Sequence, residues 1–362
     1  MQSEQQIYLD DITRIKNLDK LSMHSYLCSI AKDTLKSYDK AKKDLRIPND
    51  HISNIIGAGM GGSGMPLLAL QYLLKDEIKF PYLVSQDYIL PNYADSNTVL
   101  IAISDSGETE EVISQYRQAK DKNVQTIAIG KGSRLIEMAK TDNISYFVYS
   151  SPVPARAAFG FMFGSTLAFL ENVGAICHDK KESLLESIEI VKKLNESIGI
   201  NTPTQDNIAK KIALLLIDMI PILYVEPPFG SIGSRFAKMF NENTGRFAFY
   251  NQFPEIRHNE IMSWLPTNDL NSKLTPILLR DNKKYSQMDN EIDEIKKLFD
   301  VNSNVIEIRT DGKSKIGRFY YLLHLTDMIA YYVAILIGKD PSITPVLQEL
   351  KNKLRSSFIL SY

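Results

Sequence analysis

The sequence predicts an α/β protein made of two doubly wound parallel-sheet domains, with helices added at both ends. Three observations lead there. The run Asn97-Thr-Val-Leu-Ile-Ala-Ile103 is β-branched and aliphatic without polar alternation, the pattern of a strand buried on both faces. Short strands of this kind alternate with helical segments, which makes a parallel sheet. Strand, glycine-rich loop and helix then recur roughly 170 positions later, as a duplicated unit would give.

Taken in order, residues 1–45 are polar with Leu21, Tyr26, Leu27 and Ile30 spaced for one buried helical face. After Pro48 come a strand at 53–58, a glycine loop at 59–64, and a helix at 66–74 opened by its proline. Strands are expected at 82–85, 98–103, 126–129 and 145–149, with a helix at 110–119. Residues 156–215 read as mostly helical, including a polar-faced helix at 182–198. The alternation restarts with a strand at 221–225, a loop rich in Pro and Gly at 226–233, and a helix from Ser234 to about Asn241. Strands at 274–279 and 304–309 and helices at 320–337 and 344–353 complete the pattern. The expected organisation is a helical segment (1–45), a first, phosphate-binding domain (46–165), connecting helices (166–205), and a second domain with C-terminal helices (206–362).

Bulk composition narrows the class. A chain of 362 residues, 44% hydrophobic and 23% charged, suits a globular protein of two domains. Lys plus Arg number 42 against 43 Asp plus Glu, a net charge of −1, so no global field recruits nucleic acid or an anionic membrane. Any phosphate binding must therefore be local. Cys28 and Cys177 are far apart and unaccompanied, and read as buried thiols of a reducing compartment. The apolar stretches 212–225 and 328–338 fall short of the ~20 residues of a membrane span. The N-terminal Met-Gln-Ser-Glu-Gln-Gln has neither a basic nor an apolar signal region, so a cytoplasmic location is expected.

Two loops carry the chemistry. Gly57-x-Gly59-x-x-Gly62 matches the dinucleotide fingerprint, with Asp87 about where a ribose-binding acid stands. The second loop, Ser104-Asp-Ser-Gly-Glu-Thr109, is one that a dinucleotide fold does not require. Gly62 and Ser63 at one strand end, and Ser104, Ser106 and Thr109 at the next, converge on a compact anion such as a phosphate monoester. Backbone N–H groups at a helix start lack intrahelical partners there, and the dipole is positive. The competing reading of Ser104 to Thr109 is a helix-capping cluster.

Gly59-Met-Gly-Gly-Ser-Gly64 with Ser104-x-Ser-Gly-x-Thr109-Glu-Glu111 resembles a sugar isomerase (SIS) domain, the phosphosugar-binding fold. Asn241-Glu-Asn243 and Phe253-Pro-Glu-Ile-Arg-His258-Asn-Glu-Ile261 are similar to the archaeal and bacterial bifunctional phosphoglucose/phosphomannose isomerases. The resemblance runs from about residue 50 to 353 in motif order. It implies two SIS-type domains and a metal-independent aldose-ketose isomerase. The expected reaction interconverts glucose 6-phosphate and mannose 6-phosphate with fructose 6-phosphate through a cis-enediol, with no cofactor.

By this resemblance Glu242 is the base that moves the proton between C2 and C1, and Arg156 stabilises the enediolate. His258 is the ring-opening histidine, supplied across the interface of a homodimer. Lys351 assists ring opening, with Lys353 a rival for that role. Thr344 is associated with accepting both C2 epimers, and also reads as an N-cap before Pro345. Without the neighbouring motifs Arg156 reads equally as a salt-bridge residue, and Glu242 as an acid at a helix end. Two features depart from the family. Asp105 and Glu108 put acids inside the phosphate loop, where they weaken phosphate affinity unless they point outward. Thr244-Gly-Arg246 replaces the expected Ala-Lys.

A metal-dependent isomerase is disfavoured because the five histidines never pair at ligand spacing. The alternative from another class is a noncatalytic phosphosugar sensor. Such regulators carry a DNA-binding helix-turn-helix, whose basic surface and glycine turn residues 1–45 lack.

Overall fold

The computed structural model describes residues 2–47, 51–265, 270–283, 286–300, 303–350 and 353. The chain opens with three helices, α1 (Gln2–Asp10), α2 (Ile12–Leu18) and α3 (Met23–Asp44). Along α3 the buried Met23, Leu27, Ile30, Ala31, Thr34 and Tyr38 fall three and four apart, so one stripe turns inward. Leu21 is not part of that stripe: it precedes the helix and is 41% exposed.

The first α/β unit contains β1 (Asn54–Ala58), α4 (Gly61–Leu73), β2 (Tyr82–Ser85), β3 (Thr98–Ser104), α5 (Glu110–Asp121), β4 (Gln125–Gly130), α6 (Ser133–Thr141) and β5 (Tyr146–Val148). All its strand pairs are parallel, in the order β2-β1-β3-β4-β5. That is the flavodoxin-like doubly wound order, not the 3-2-1-4-5-6 order of dinucleotide folds. Every residue of β3 is buried, as its unbroken apolar run requires.

One boundary and one added element correct the sequence reading here. α4 starts at Gly61, five residues before Pro66, which lies inside the helix. Gly61 turns the chain at φ +49°, a conformation glycine adopts without cost, so the glycine run and not the proline sets the start. Pro66, lacking an N–H, then leaves the Gly62 carbonyl without its helical donor. α6, nine residues long, lies where the pattern assigns no element.

The helices α7 (Phe159–Asn172), α8 (Lys181–Ile198) and α9 (Ile208–Leu216) lead to the second unit. It comprises β6 (Ile220–Val225), α10 (Gly230–Thr244), β7 (Phe249–Gln252), β8 (Leu274–Arg280), α11 (Ser286–Asp300), β9 (Ile306–Arg309) and α12 (Lys315–Leu336). The parallel order β7-β6-β8-β9 repeats the first four positions of the first sheet, so the strand, loop and helix recurrence read from the sequence extends to topology. β7 and α11 have no counterpart in the sequence reading. β7 is an edge strand with half-buried or exposed residues throughout, hence without a core-strand pattern. α10 and α12 each begin earlier than their apolar residues suggest. The Ser314 Oγ caps α12 by accepting from the Gly317 N–H at 2.9 Å.

By length and composition α12 could cross a bilayer, yet 94% of its apolar window is buried. It packs against α8, α9 and α10, while α4 and α10 meet across the two units. Both cysteines depart from expectation: Cys177 is exposed and Cys28 half-buried. Cys177 falls in the connection between α7 and α8, away from either core.

Candidate active site

The first group of side chains gathers where β1 and β3 end, at the switch point of the first sheet. Ser104 is buried at the last position of β3, and its Oγ lies 2.8 Å from Thr109 Oγ1 and 3.5 Å from Ser106 Oγ. Thr109 stands at the N-cap of α5 but makes no side-chain cap bond; its hydroxyl turns to Ser104 instead. The capping interpretation therefore fails for Thr109. Ser63, in the first turn of α4, accepts from the Asp105 N–H at 3.0 Å and ties the two loops together. Gly62 sits where any Cβ would come within 2.7 Å of the Arg156 backbone nitrogen, so only glycine admits this approach.

The two acids of this loop are held away from the hydroxyls. Asp105 Oδ1 accepts from Tyr149 Oη at 2.7 Å and lies 3.1 Å from Lys131 Nζ, which offsets its charge. Glu108 accepts from the Arg134 N–H at 3.2 Å, in the first turn of α6. Burial, reinforced by Asp105, pushes the Tyr149 phenol well above its ordinary range. Lys131 also donates to the Val153 carbonyl at 2.7 Å, joining the hydroxyl loop to the segment that carries Arg156.

Arg156 is the hub of the second group. It lies between β5 and α7, 4% exposed, and all three of its nitrogens are engaged. Nε donates to Asn243 Oδ1 at 3.0 Å, Nη1 to Glu242 Oε2 at 2.7 Å, and Nη2 to the Pro341 carbonyl at 2.7 Å. Burial pulls its guanidinium below the ordinary value, and the Glu242 carboxylate opposes that shift. Glu242 occupies the last turn of α10, as the sequence predicts, where the helix dipole gives a carboxylate no support. Its stabilisation comes from Arg156. Behind the pair, Arg235 donates to the Arg156 carbonyl at 2.8 Å and is itself paired with Asp327 at 2.6 Å, both fully buried. Burial raises the Asp327 carboxyl, with Arg235 opposing.

The remaining expected site residues are placed less closely. Thr344 is half-buried just before a helical stretch at 345–350, its carbonyl accepting from the Gln348 N–H at 3.1 Å. Since Arg156 holds Pro341, three residues upstream, Thr344 follows an anchored segment. His258 is exposed in the turn Glu255–His258 and accepts from Arg257 Nε at 3.1 Å; no described contact joins it to Glu242. That turn is fixed by the buried Ile256 and by Glu260, which accepts from Tyr224 Oη at 2.5 Å. Lys351 lies outside the described residues, while Lys353 is exposed and pairs with Glu349 at 2.6 Å. Asp87 is exposed beyond β2, its Oδ1 accepting from the Tyr88 N–H at 2.6 Å. Among the described residues no three His, Cys, Asp or Glu side chains converge as a metal-ligand set.

Sequence reasoning misses Arg235, Asp327, Lys131, Tyr149 and Lys238. Only Lys238 carried a local signal, four residues before Glu242 and so on the same helical face.

A family model described as an SIS domain matches residues 51–170, and one described as the bacterial phospho-glucose isomerase C-terminal SIS domain matches residues 205–354. A bifunctional phosphoglucose/phosphomannose isomerase of Caldicellulosiruptor bescii is 31% identical over 322 residues, covering 88% of this chain and 95% of its own length. A protein of the same name from Aquifex aeolicus is 29% identical over 303 residues, covering 83% and 90%. The crystal structure of a glucose-6-phosphate isomerase from Chlamydia trachomatis superposes with a TM-score of 0.76 at 11% identity, over 99% of this chain and 85% of that one.

Proposed function

This chain belongs to the bifunctional phosphoglucose/phosphomannose isomerase family, and from that premise we propose that it interconverts glucose 6-phosphate and mannose 6-phosphate with fructose 6-phosphate in the cytoplasm, without a metal. It is an isomerase of sugar phosphates by membership. The observation that carries the finer reading is one connected set of contacts. The hydroxyl loop is bonded to Ser63, Gly62 packs on the Arg156 backbone, and Arg156 is paired with Glu242.

In this reading the phosphate rests on Ser63, Ser104, Ser106, Thr109 and the free N–H groups at the start of α4. Holding it there fixes the sugar carbons against Glu242. Glu242 takes the proton from C2 of the open chain, the electron pair forms the C1–C2 double bond, and the carbonyl oxygen becomes an enediolate. Returning the proton to C1 completes the isomerisation, with the O2 hydroxyl proton passing to O1, which becomes the C1 hydroxyl as the C2 ketone forms. Arg156 stabilises the charged intermediate. Ring opening falls to His258 from the partner subunit of a homodimer, with Lys351. The exposed His258 turn and the stacked, exposed Phe247 and Phe249 at the start of β7 support such an interface. Thr344 leaves room for either C2 epimer.

The test is formation of fructose 6-phosphate from each aldose by purified protein in excess chelator. Turnover of both is expected. Binding of either sugar phosphate without turnover would instead make the protein a phosphosugar sensor.

A further inference from the structure

We infer that Lys238 is a substrate-contacting cation of this site, placed to hold the negative charge that forms on the sugar oxygens while Glu242 carries the proton; the inference rests on the isomerase reading above. Ser234, Lys238 and Glu242 recur every four residues along α10 and therefore share one face. That face runs along α4. Ser234 Oγ and Lys238 Nζ both touch Met65 Sδ, at 3.9 and 3.4 Å, while Glu242 meets Arg156 against Gly62. Lys238 thus stands one helical turn before the proposed base, in the seam between α4, which begins within the glycine loop, and α10, which carries Glu242.

The charges around it are unequal. Arg156 has each nitrogen committed to a protein acceptor, and its charge is offset by Glu242. Arg235 is neutralised by Asp327. Lys238 is half-buried, and the one hydrogen-bond partner described for it is a thioether, a weak acceptor. Burial pulls its ammonium below the usual value and Glu242 opposes this, so the two groups feel one another without an ion pair among the described residues. A cation drawn from water without an oxygen partner is costly unless an anion joins it. The enediolate supplies that anion only during the reaction, when O1 takes up the electron density released by the C2–H bond. Lys238 stays protonated throughout and exchanges no proton with substrate.

Lys238→Met tests this, because Met fills the same space beside Met65. The expected result is a kcat roughly 10²-fold lower, the size seen on removing one oxyanion donor, with KM within about threefold and the melting temperature not lowered. Lys238→Arg should recover part of kcat. If Met destabilises the seam, Lys238→Gln gives the same comparison. An unchanged kcat overturns the inference. So does a raised KM alone with weaker inhibition by inorganic phosphate, which would move the cation to the phosphoryl group. Wild-type turnover with an unaffected Lys238 variant removes Lys238 only; an inactive wild type removes the isomerase reading and this inference together.

Discussion

Arg156 and Glu242 form an ion pair, Nη1 to Oε2 at 2.7 Å, in which the guanidinium side chain is 5% exposed and the carboxylate side chain 24%. The pair joins the segment after the first sheet to the last turn of a helix in the second unit. It also orders the chain leading to Thr344 through the Pro341 carbonyl. The guanidinium meets its three acceptors from three separate nitrogens spread across one plane, a reach that the single ammonium nitrogen of a lysine does not match. Arg156→Lys is therefore expected to lower kcat by at least about 10²-fold and to destabilise the protein by on the order of 2 kcal/mol, as measured by steady-state kinetics and urea unfolding. Wild-type kinetics in this variant would remove Arg156 from the chemistry.

Glu242→Gln keeps an oxygen that can accept from Arg156 but cannot take a proton. Activity should fall by roughly 10²- to 10⁴-fold while affinity for a sugar phosphate stays within a few-fold. Calorimetric titration beside the kinetics separates the two effects, and unchanged turnover would exclude Glu242 as the base.

Lys131 lies 3.1 Å from Asp105 and so offsets the charge of an acid carried by the hydroxyl loop. Lys131→Met should raise KM on the order of 5-fold with kcat little changed, and added salt should shrink the effect. A variant with unaltered KM at low salt would mean that Asp105 exerts no field on the substrate.

The Arg235–Asp327 pair is buried on both sides, so removing one partner strands the other. Asp327→Ala is expected to cost about 3–5 kcal/mol in urea unfolding. Loss of less than about 1 kcal/mol would show that the arginine finds another acceptor.

Glu226, at the end of β6, accepts from the Asp281 N–H at 2.6 Å, and burial pushes its carboxyl up to about 7. A raised acid binds its proton more tightly in the folded state, so its contribution is fully present below the unfolded value near 4.5 and is lost as pH rises through about 7. Glu226→Gln should flatten the fall in stability between those limits. An identical pH profile of melting for the variant and the wild type would contradict this assignment.

Some of this was legible along the chain. β3 announced itself because both its faces are buried, and the hydroxyl loop followed because strand ends and helix starts leave backbone donors free. The duplicated strand order was foreshadowed by two glycine-rich loops. β7 gave no pattern because an edge strand need not alternate or bury. The start of α4 was misjudged because proline's preference for a first turn is weaker than glycine's freedom at a positive φ.

Local chemistry was enough to read the hydroxyl loop as a candidate anion site, since loop composition acts over a few residues, while Glu242 and Arg156 were marked by the resemblance of their motifs. The pairing of Arg156 with Glu242, 86 positions away, came from the packing of the two units. So did the outward turn of Asp105 to Tyr149, the buried Arg235–Asp327 support, and the setting of Lys238 against Met65. Burial and charge depend on which distant segments meet, and those meetings set the strength of every electrostatic contact in the site.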